Sequence, residues 1–335
     1  MEIKNKLTVS TSPHLSGRDT TTGIMLDVII ALVPALFAAV LYFGPRALAV
    51  TAVTVASCII AEYITRKIFK RDNTIGDLSA AVTGILLAFN LPVTIPLWIA
   101  VIGSVVAIVI VKQFFGGIGQ NFVNPALTAR IVLMSSFPTR MSSWTQPFTW
   151  LNNTDAVTSA SPLASLSTAF STGATSAAEL RSAGDLPSLI EMFLGQRAGS
   201  MGEVCAVALI IGGAYLLIRK VISPVIPLCF IGTVAVFTFI AGGFSLYFTA
   251  YELLSGGLLL GAIFMATDYT TSPINFRGKI IYAVGCGLIT SVIRLYGSLP
   301  EGVSFSIILM NILVPHIERW TTPKPFGWQK EDAKA

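Results

Sequence analysis

Apolar runs close to the ~20 residues that cross a bilayer recur about ten times along this chain, and this recurrence constrains the fold more than any other feature. Only 12% of the residues are charged, against roughly 25% in a soluble globular domain. That is too little charge to coat a water-facing exterior, so most of the surface must meet lipid. The expected fold is an all-α integral membrane protein with spans at 24–44, 46–65, 78–91, 93–112, 125–137, 203–220, 225–242, 246–266, 279–296 and 302–317. The third and fifth are short, and the Asn90-Leu91-Pro92 and Asn124-Pro125 steps interrupt helix there. Irregular backbone at membrane depth survives only where protein or a cavity surrounds it, so these two spans are read as half-inserted or broken.

Charge sets the orientation. With the N-terminus cytoplasmic, one side collects Lys4, Lys6, Arg18, Arg66, Lys67, Lys70, Arg71 and Lys112, then Arg219, Lys220, Arg277, Lys279, Arg319, Lys324, Lys330 and Lys334. The other side holds Arg46, Arg140, Arg181 and Arg197, with Arg294 close to it. This is the positive-inside asymmetry, and it accounts for the net charge of +5 without any nucleic-acid role. The chain then divides into a cytoplasmic segment 1–23, a first membrane half 24–137, an extracytoplasmic loop 138–202, a second membrane half 203–317 and a cytoplasmic tail 318–335. Residues 1–23 lack the apolar core of a cleavable leader. The loop is rich in Ser, Thr and Ala, and a connection this long without a span of its own points to function or disorder. A five-plus-five split would give halves of opposite topology. The echo of 61–67 in 214–220 pairs the second span with the sixth instead, which leaves the repeat undecided.

Cys58, Cys205, Cys229 and Cys286 each sit in an apolar run with no C-x-x-C spacing, and only His14 and His316 are present. The cysteines read as small packing residues, and no metal site is expected. Ionisable groups within spans are costly and are usually paired or functional; here they are Asp27, Glu62, Arg130, Glu252, Asp268 and Arg294. Glu62 precedes Arg66 by four residues, the spacing of a helix-face ion pair. Asp27 and Glu252 are the candidates for an ion path. Asp268 ends a Gly-rich helix as either an interfacial cap or a third such group. Gly256, Gly257 and Gly261, with Gly285 and Gly287, read as helix-packing faces. The glycines of 114–124 form either a tight turn or a loop bordering a bound cofactor or an ion path.

One hydroxyl-dense run stands out in the long loop, Asp155-Ala156-Val157-Thr158-Ser159-Ala160-Ser161-Pro162-Leu163. Three further blocks accompany it. They are Ser12-Pro13-His14 through Asp27 with Ala31–Ala35, Lys112 through Ala126, and Ser255-Gly256-Gly257 through Asp268 with Gly278-Lys279, Pro300-Glu301-Gly302 and Leu309-Met310-Asn311. In this order the four blocks resemble the RnfD/NqrB family, and the chain length and single flavin loop are more similar to the RnfD branch.

The resemblance implies a flavin-carrying membrane subunit, not catalytic alone, of a complex that couples electron transfer between ferredoxin and NAD to movement of Na+ or H+. It implies the other Rnf subunits (A, B, C, E and G) as partners, residence in the cytoplasmic membrane of a prokaryote, and FMN esterified through its phosphate to a hydroxyl. Aligned on the family's motif, the acceptor falls on Ser161, where the family usually carries threonine. Thr158 and Thr175, the latter in the similar run 171–176, are the alternatives. Arg294 would hold the flavin phosphate or simply snorkel. A second, noncovalent flavin such as riboflavin is also implied. The competing expectation is a secondary transporter or channel without a redox cofactor, which the intramembrane carboxylates and broken spans fit.

Overall fold

The computed structural model describes residues 20–151, 158–159, 161–171, 173, 186–297 and 301–323. The first half comprises α1 (Thr21–Phe43), α2 (Pro45–Ile68), α3 (Ser79–Phe89), α4 (Leu97–Val105, continuing as a π-helix over Val106–Gln113) and α5 (Pro125–Ser136). The connecting segment carries α6 (Pro138–Met141), strands β1 (Trp144–Thr145) and β2 (Thr158–Ser159), α7 (Pro162–Ser171) and α8 (Leu189–Leu194). The second half comprises α9 (Ala206–Ile218), α10 (Val225–Ala241), α11 (Leu246–Leu254), α12 (Leu258–Leu260, continuing as a π-helix over Gly261–Met265), α13 (Phe276–Tyr296) and α14 (Val303–Thr321).

Local chemistry explains the boundaries. Thr20 caps α1 by accepting from the Gly23 N–H. Gly44, at φ +77°, ends α1 so that Pro45 can start α2 at once, using the left-handed freedom of glycine and the fitness of proline at a first helical position. Asn124 accepts from the Ala126 and Leu127 N–H groups and Pro125 follows it. The fold class is the expected one. Helices α1, α2 and α13 are each long and apolar enough to cross a membrane, and α11 with α12 forms one apolar pair bent by 65°. The third and fifth expected spans are indeed short, at 11 and 12 residues. The sharp break falls elsewhere, inside the expected span 246–266, where Gly256 takes φ +64°.

In the first half α2 packs on α3 and α4, and α4 on α5. In the second half α10 packs on α11 and α13, and α13 on α14, while α1 meets α9 across the halves. Hydrogen bonds sort the ends of these helices into two faces. At one, Thr22 bonds Gly76, Arg71 bonds Gln113, Arg219 bonds Asp27 and Tyr269 bonds Val221; this is the basic face. At the other, Arg46 bonds Val93, Tyr42 bonds Leu194 and Gly257 bonds Glu301; this is the loop face. Helix α1 leaves the basic face and α9 returns to it, so the halves run in opposite senses.

Two half-length helices, α3 from the basic face and α12 from the loop face, converge at their C-terminal ends. There Asn90 Nδ2 lies 3.7 Å from Met265 Sδ and Asn124 Nδ2 donates to the Met265 carbonyl at 3.2 Å. The carbonyls that α3 leaves open are met by the chain before α9: Gly202 N–H donates to Phe89 O and Met201 N–H to Leu91 O, which removes an otherwise costly pair of buried acceptors. Outward, α1 exposes Val33, Phe37 and Leu41 and α10 exposes Leu228, Val236 and Ile240, as helices facing hydrocarbon do. Between the halves, a Cβ at Gly212 would strike the Ala31 carbonyl of α1. Gly212→Ala is therefore expected to destabilise the chain by about 1–3 kcal/mol through overpacking, read as a lower melting temperature in detergent.

Candidate functional site

Ser161 occupies the start of α7. Its carbonyl accepts from the Ala164 and Ser165 N–H groups and its Oγ accepts from Ala164 N–H at 3.3 Å, which is the bonding of a serine N-cap. Pro162 follows in the first turn. The helix is fastened by buried Leu163 and Leu166 and by Phe170, whose ring packs on Phe248 and edge-on to Tyr296. Ser161 thereby faces a cavity of about 200 Å³ at the loop face, shared with Trp144, Arg197, Glu203, Gly256 and Glu301. Thr158 lies in β2, paired antiparallel with Thr145 while Ser159 pairs with Trp144. Asp155 and Thr175 lie outside the described residues.

Arg197 enters this cavity because α8 ends abruptly. Ser188 and Glu191 form a reciprocal capping box at its start, and Gly195 takes φ +108° at its end, a left-handed turn that glycine adopts without strain. Arg197 is 3% exposed. Its Nη2 donates to Glu203 O at 2.6 Å and its Nε to Val204 O at 3.3 Å. Burial pulls its pKa down to about 10, which leaves it cationic at neutral pH. Glu203, 5% exposed, accepts at Oε1 from Ser200 N–H at 3.2 Å, and among the described residues its Oε2 has no hydrogen-bond partner.

Two buried ion pairs adjoin the cavity. Arg130 pairs with Glu301 and donates to Asn90 Oδ1 at 2.6 Å, while Glu301 accepts from Gly257 N–H at 3.0 Å. Arg294 pairs with Glu252 at 3.2 Å and also donates to the carbonyls of Glu252 and Ser255, at 2.7 and 3.1 Å. Arg294 and Glu252 are each 1% exposed. A Cβ at Gly256 would collide with Leu163 and come within 2.9 Å of Arg294 Nη2, so the bare glycine at the bend is what lets α7 seat there. The second-half glycines read as packing faces divide accordingly. Gly261, Gly285 and Gly287 press on Val303, Met310 and Thr233, whereas Gly256 and Gly257 form the bend.

At the basic face a second cavity is lined by Ser79, Lys112, Asn121, Asn124, Asp268 and Thr270 among apolar walls that include Phe264 and Leu86. Asp268 accepts from Thr270 and Thr271 hydroxyls at 2.9 and 3.3 Å. Asp27 does not reach this cavity; it bonds Tyr215 Oη at 2.8 Å and Arg219 at 3.1 Å. The Glu62–Arg66 pair does not form. Glu62 turns toward α4 and binds Lys112 at 3.1 Å and Gln113 Nε2 at 2.7 Å, while Arg66 donates to the Asp72 carbonyl. The glycines of 114–124 do make a turn, with Gly116, Gly117 and Gly119 at positive φ, and Asn121 within that turn reaches the cavity.

The structure thus separates the candidates of the sequence into three places. Ser161 faces the loop-face cavity with Arg294 and Glu252 locked together behind it, Asp268 faces the basic-face cavity, and Asp27 sits in a pair of its own. Arg197, Glu203 and Glu301 are additions. Arg197 was counted only among the loop-side charges, Glu203 fell unremarked at the start of an expected span, and Glu301 had only its Pro-Glu-Gly block to mark it.

Residues 8–327 match the model of the NQR2, RnfD, RnfE family. Among curated proteins the chain is 47% identical over 98% of its length, and 98% of the other protein's, to the D subunit of the Na(+)-translocating ferredoxin:NAD(+) oxidoreductase complex of Acetobacterium woodii. It is 41% identical, with the same coverage of both, to the D subunit of the proton-translocating ferredoxin:NAD(+) oxidoreductase complex of Clostridium ljungdahlii. It is 37% identical, over 92% of this chain and 93% of the other, to the D subunit of the ion-translocating oxidoreductase complex of Stutzerimonas stutzeri. With a match that runs from before the first helix to beyond the last, the chain belongs to the NQR2, RnfD, RnfE family.

Proposed function

We propose that this chain is the membrane-embedded, RnfD-type subunit of an ion-translocating ferredoxin:NAD oxidoreductase complex, that it carries FMN esterified to Ser161, and that Na+ or H+ crosses the membrane with its participation. The near-complete alignment with relatives bearing that name carries the reading. The site supports it. Among the described residues of the 155–163 run, Ser161 offers its hydroxyl at a helix start and into a cavity, beside a buried arginine and a buried carboxylate oxygen that has no hydrogen-bond partner among the described residues. Such a cavity fits a phosphate ester of a polyol. When bound, FMN supplies the electron-transfer chemistry, and the chain supplies placement and electrostatics. The basic face is then cytoplasmic by the positive-inside rule, with both termini on that side and the flavin outside, in the cytoplasmic membrane of a prokaryote. The chain's partners are the A, B, C, E and G subunits.

The test is peptide mass mapping of the denatured chain purified from a host that makes the flavin transferase. An FMN increment on the peptide containing Ser161 is expected. The same increment on the peptide of Thr175, or fragmentation placing it on Thr158, keeps the function and moves the site. An unmodified mass throughout and a colourless protein favour the transporter or channel reading, for which the paired half-helices are the favouring observation.

For the ion route the reading takes Asp268, because it lines the basic-face cavity while Asp27 and Glu252 are held by arginines. In reconstituted complex, Asp268→Asn is expected to abolish most ion uptake while the electron-transfer rate falls far less. Ion uptake at the parental rate would remove Asp268 from the route.

A further inference from the structure

A phosphodiester keeps one negative charge at neutral pH, and placing it in a cavity shielded from water is unfavourable unless donors meet it. Three buried arginines surround the Ser161 cavity, and two are committed. Arg130 is taken by Asn90 and Glu301, and Arg294 by Glu252 and the Ser255 carbonyl. Arg197 spends Nε and Nη2 on the Val204 and Glu203 carbonyls, and its Nη1 has no acceptor among the described residues. It also lines the cavity directly, as Ser161 does, whereas Arg294 lies behind Gly256. The first turn of α7 adds the partial positive charge of a helix start at the same hydroxyl.

Glu203 supplies the opposite chemistry. Its Oε2 is buried and has no hydrogen-bond partner among the described residues, an unfavourable state until a donor arrives. A phosphate would avoid it, and a hydroxyl would satisfy it. Positive charge and an acceptor therefore share one cavity, the order required by a ligand whose phosphate continues into a row of hydroxyls.

We infer that Arg197 and Glu203 form the two parts of a polyol-phosphate cradle beside Ser161, in which Arg197 with the first turn of α7 holds the phosphodiester and Glu203 accepts from the ribityl hydroxyls. The inference rests on FMN being esterified at Ser161, and it gives the phosphate to Arg197 in place of Arg294. Both are positioning residues, since neither has an assigned part in electron transfer.

The experiment uses whole complex purified from a host with the flavin transferase. The visible circular dichroism of the Ser161→Ala complex is subtracted from that of the parent, so that only the flavin on Ser161 contributes. Arg197→Gln is expected to abolish this difference signal, Arg197→Lys to retain most of it, Glu203→Leu to reduce it severalfold, and exposed Arg140→Gln to leave it unchanged. Melting curves of Arg197→Gln and Arg197→Lys in the Ser161→Ala background report what Arg197 contributes to the scaffold alone. A difference signal unchanged in Arg197→Gln overturns the cradle. So does equal loss in the Lys and Gln variants when both also melt lower in the Ser161→Ala background. Absence of FMN from the Ser161 peptide of the parent overturns the cradle together with the acceptor assignment beneath it, and mass mapping distinguishes that outcome from the other two.

Discussion

With FMN esterified at Ser161 as proposed, Ser161→Ala is expected to leave the chain assembled in its complex with an unmodified mass and no flavin on the Ser161 peptide. The loss is expected to be complete, because the ester oxygen itself is removed. The fold survives, since the substitution sacrifices an N-cap worth about 1 kcal/mol, while α7 stays fastened by Leu163 and Leu166. Ser161→Thr is expected to keep the flavin, because threonine presents the same oxygen at the same position. Intact-mass spectra of the three proteins check both statements. Flavin persisting in the alanine variant would move the acceptor to Thr158 or Thr175.

Arg294→Leu comes next in size. Arg294 and Glu252 are each 1% exposed and bonded to one another, and the guanidinium also holds two backbone carbonyls. Removing one member leaves the other buried and uncompensated, a loss of about 3–5 kcal/mol. That is a large share of the roughly 5–15 kcal/mol by which a folded domain typically exceeds its unfolded state. The variant is expected to be recovered from membranes in much reduced amount and to melt well below the parent. Glu252→Leu should behave alike, and the double variant should recover part of the loss because no charge remains stranded. If the two single losses simply add in the double variant, the pair is not the unit that matters.

Much of this architecture was legible in the sequence because its signals are local. Asn124-Pro125 is a cap followed by a first-turn proline, and Gly44-Pro45 is a left-handed stop followed by a start. The apolar runs placed the helices, and the uneven split of charge placed the faces. The echo of 61–67 in 214–220 proved to mark helix ends at the basic face, where Arg66 and Lys67, and Arg219 and Lys220, gather. What stayed hidden depends on residues far apart in the chain. Four-residue spacing assigned Glu62 to Arg66, yet the carboxylate faces Lys112 fifty residues on. The bend at 256 requires glycine because Leu163 and Arg294, from other elements, leave no room for a Cβ there. The π stretches of α4 and α12 carry no compositional mark at all. Ser161 was singled out by a resemblance, but its companions Arg197 and Glu203 emerge only when the turn at Gly195 folds them inward.

The convergence of α3 and α12 has an electrical consequence. Ala126 lines the basic-face cavity and Met134 the loop-face cavity, on the same helix α5. Eight residues of helix span about 12 Å, against a hydrocarbon slab of about 30 Å. Wherever water or ions fill the two cavities, the voltage across the membrane falls mainly over that thin septum of Asn90, Met265 and Arg130. The local field there exceeds the slab average by more than twofold, and moving one elementary charge across the septum does nearly all of the ~2.3 kcal/mol of work that each 100 mV represents. A short step by a single ion at this point would therefore be almost as voltage-sensitive as a full crossing.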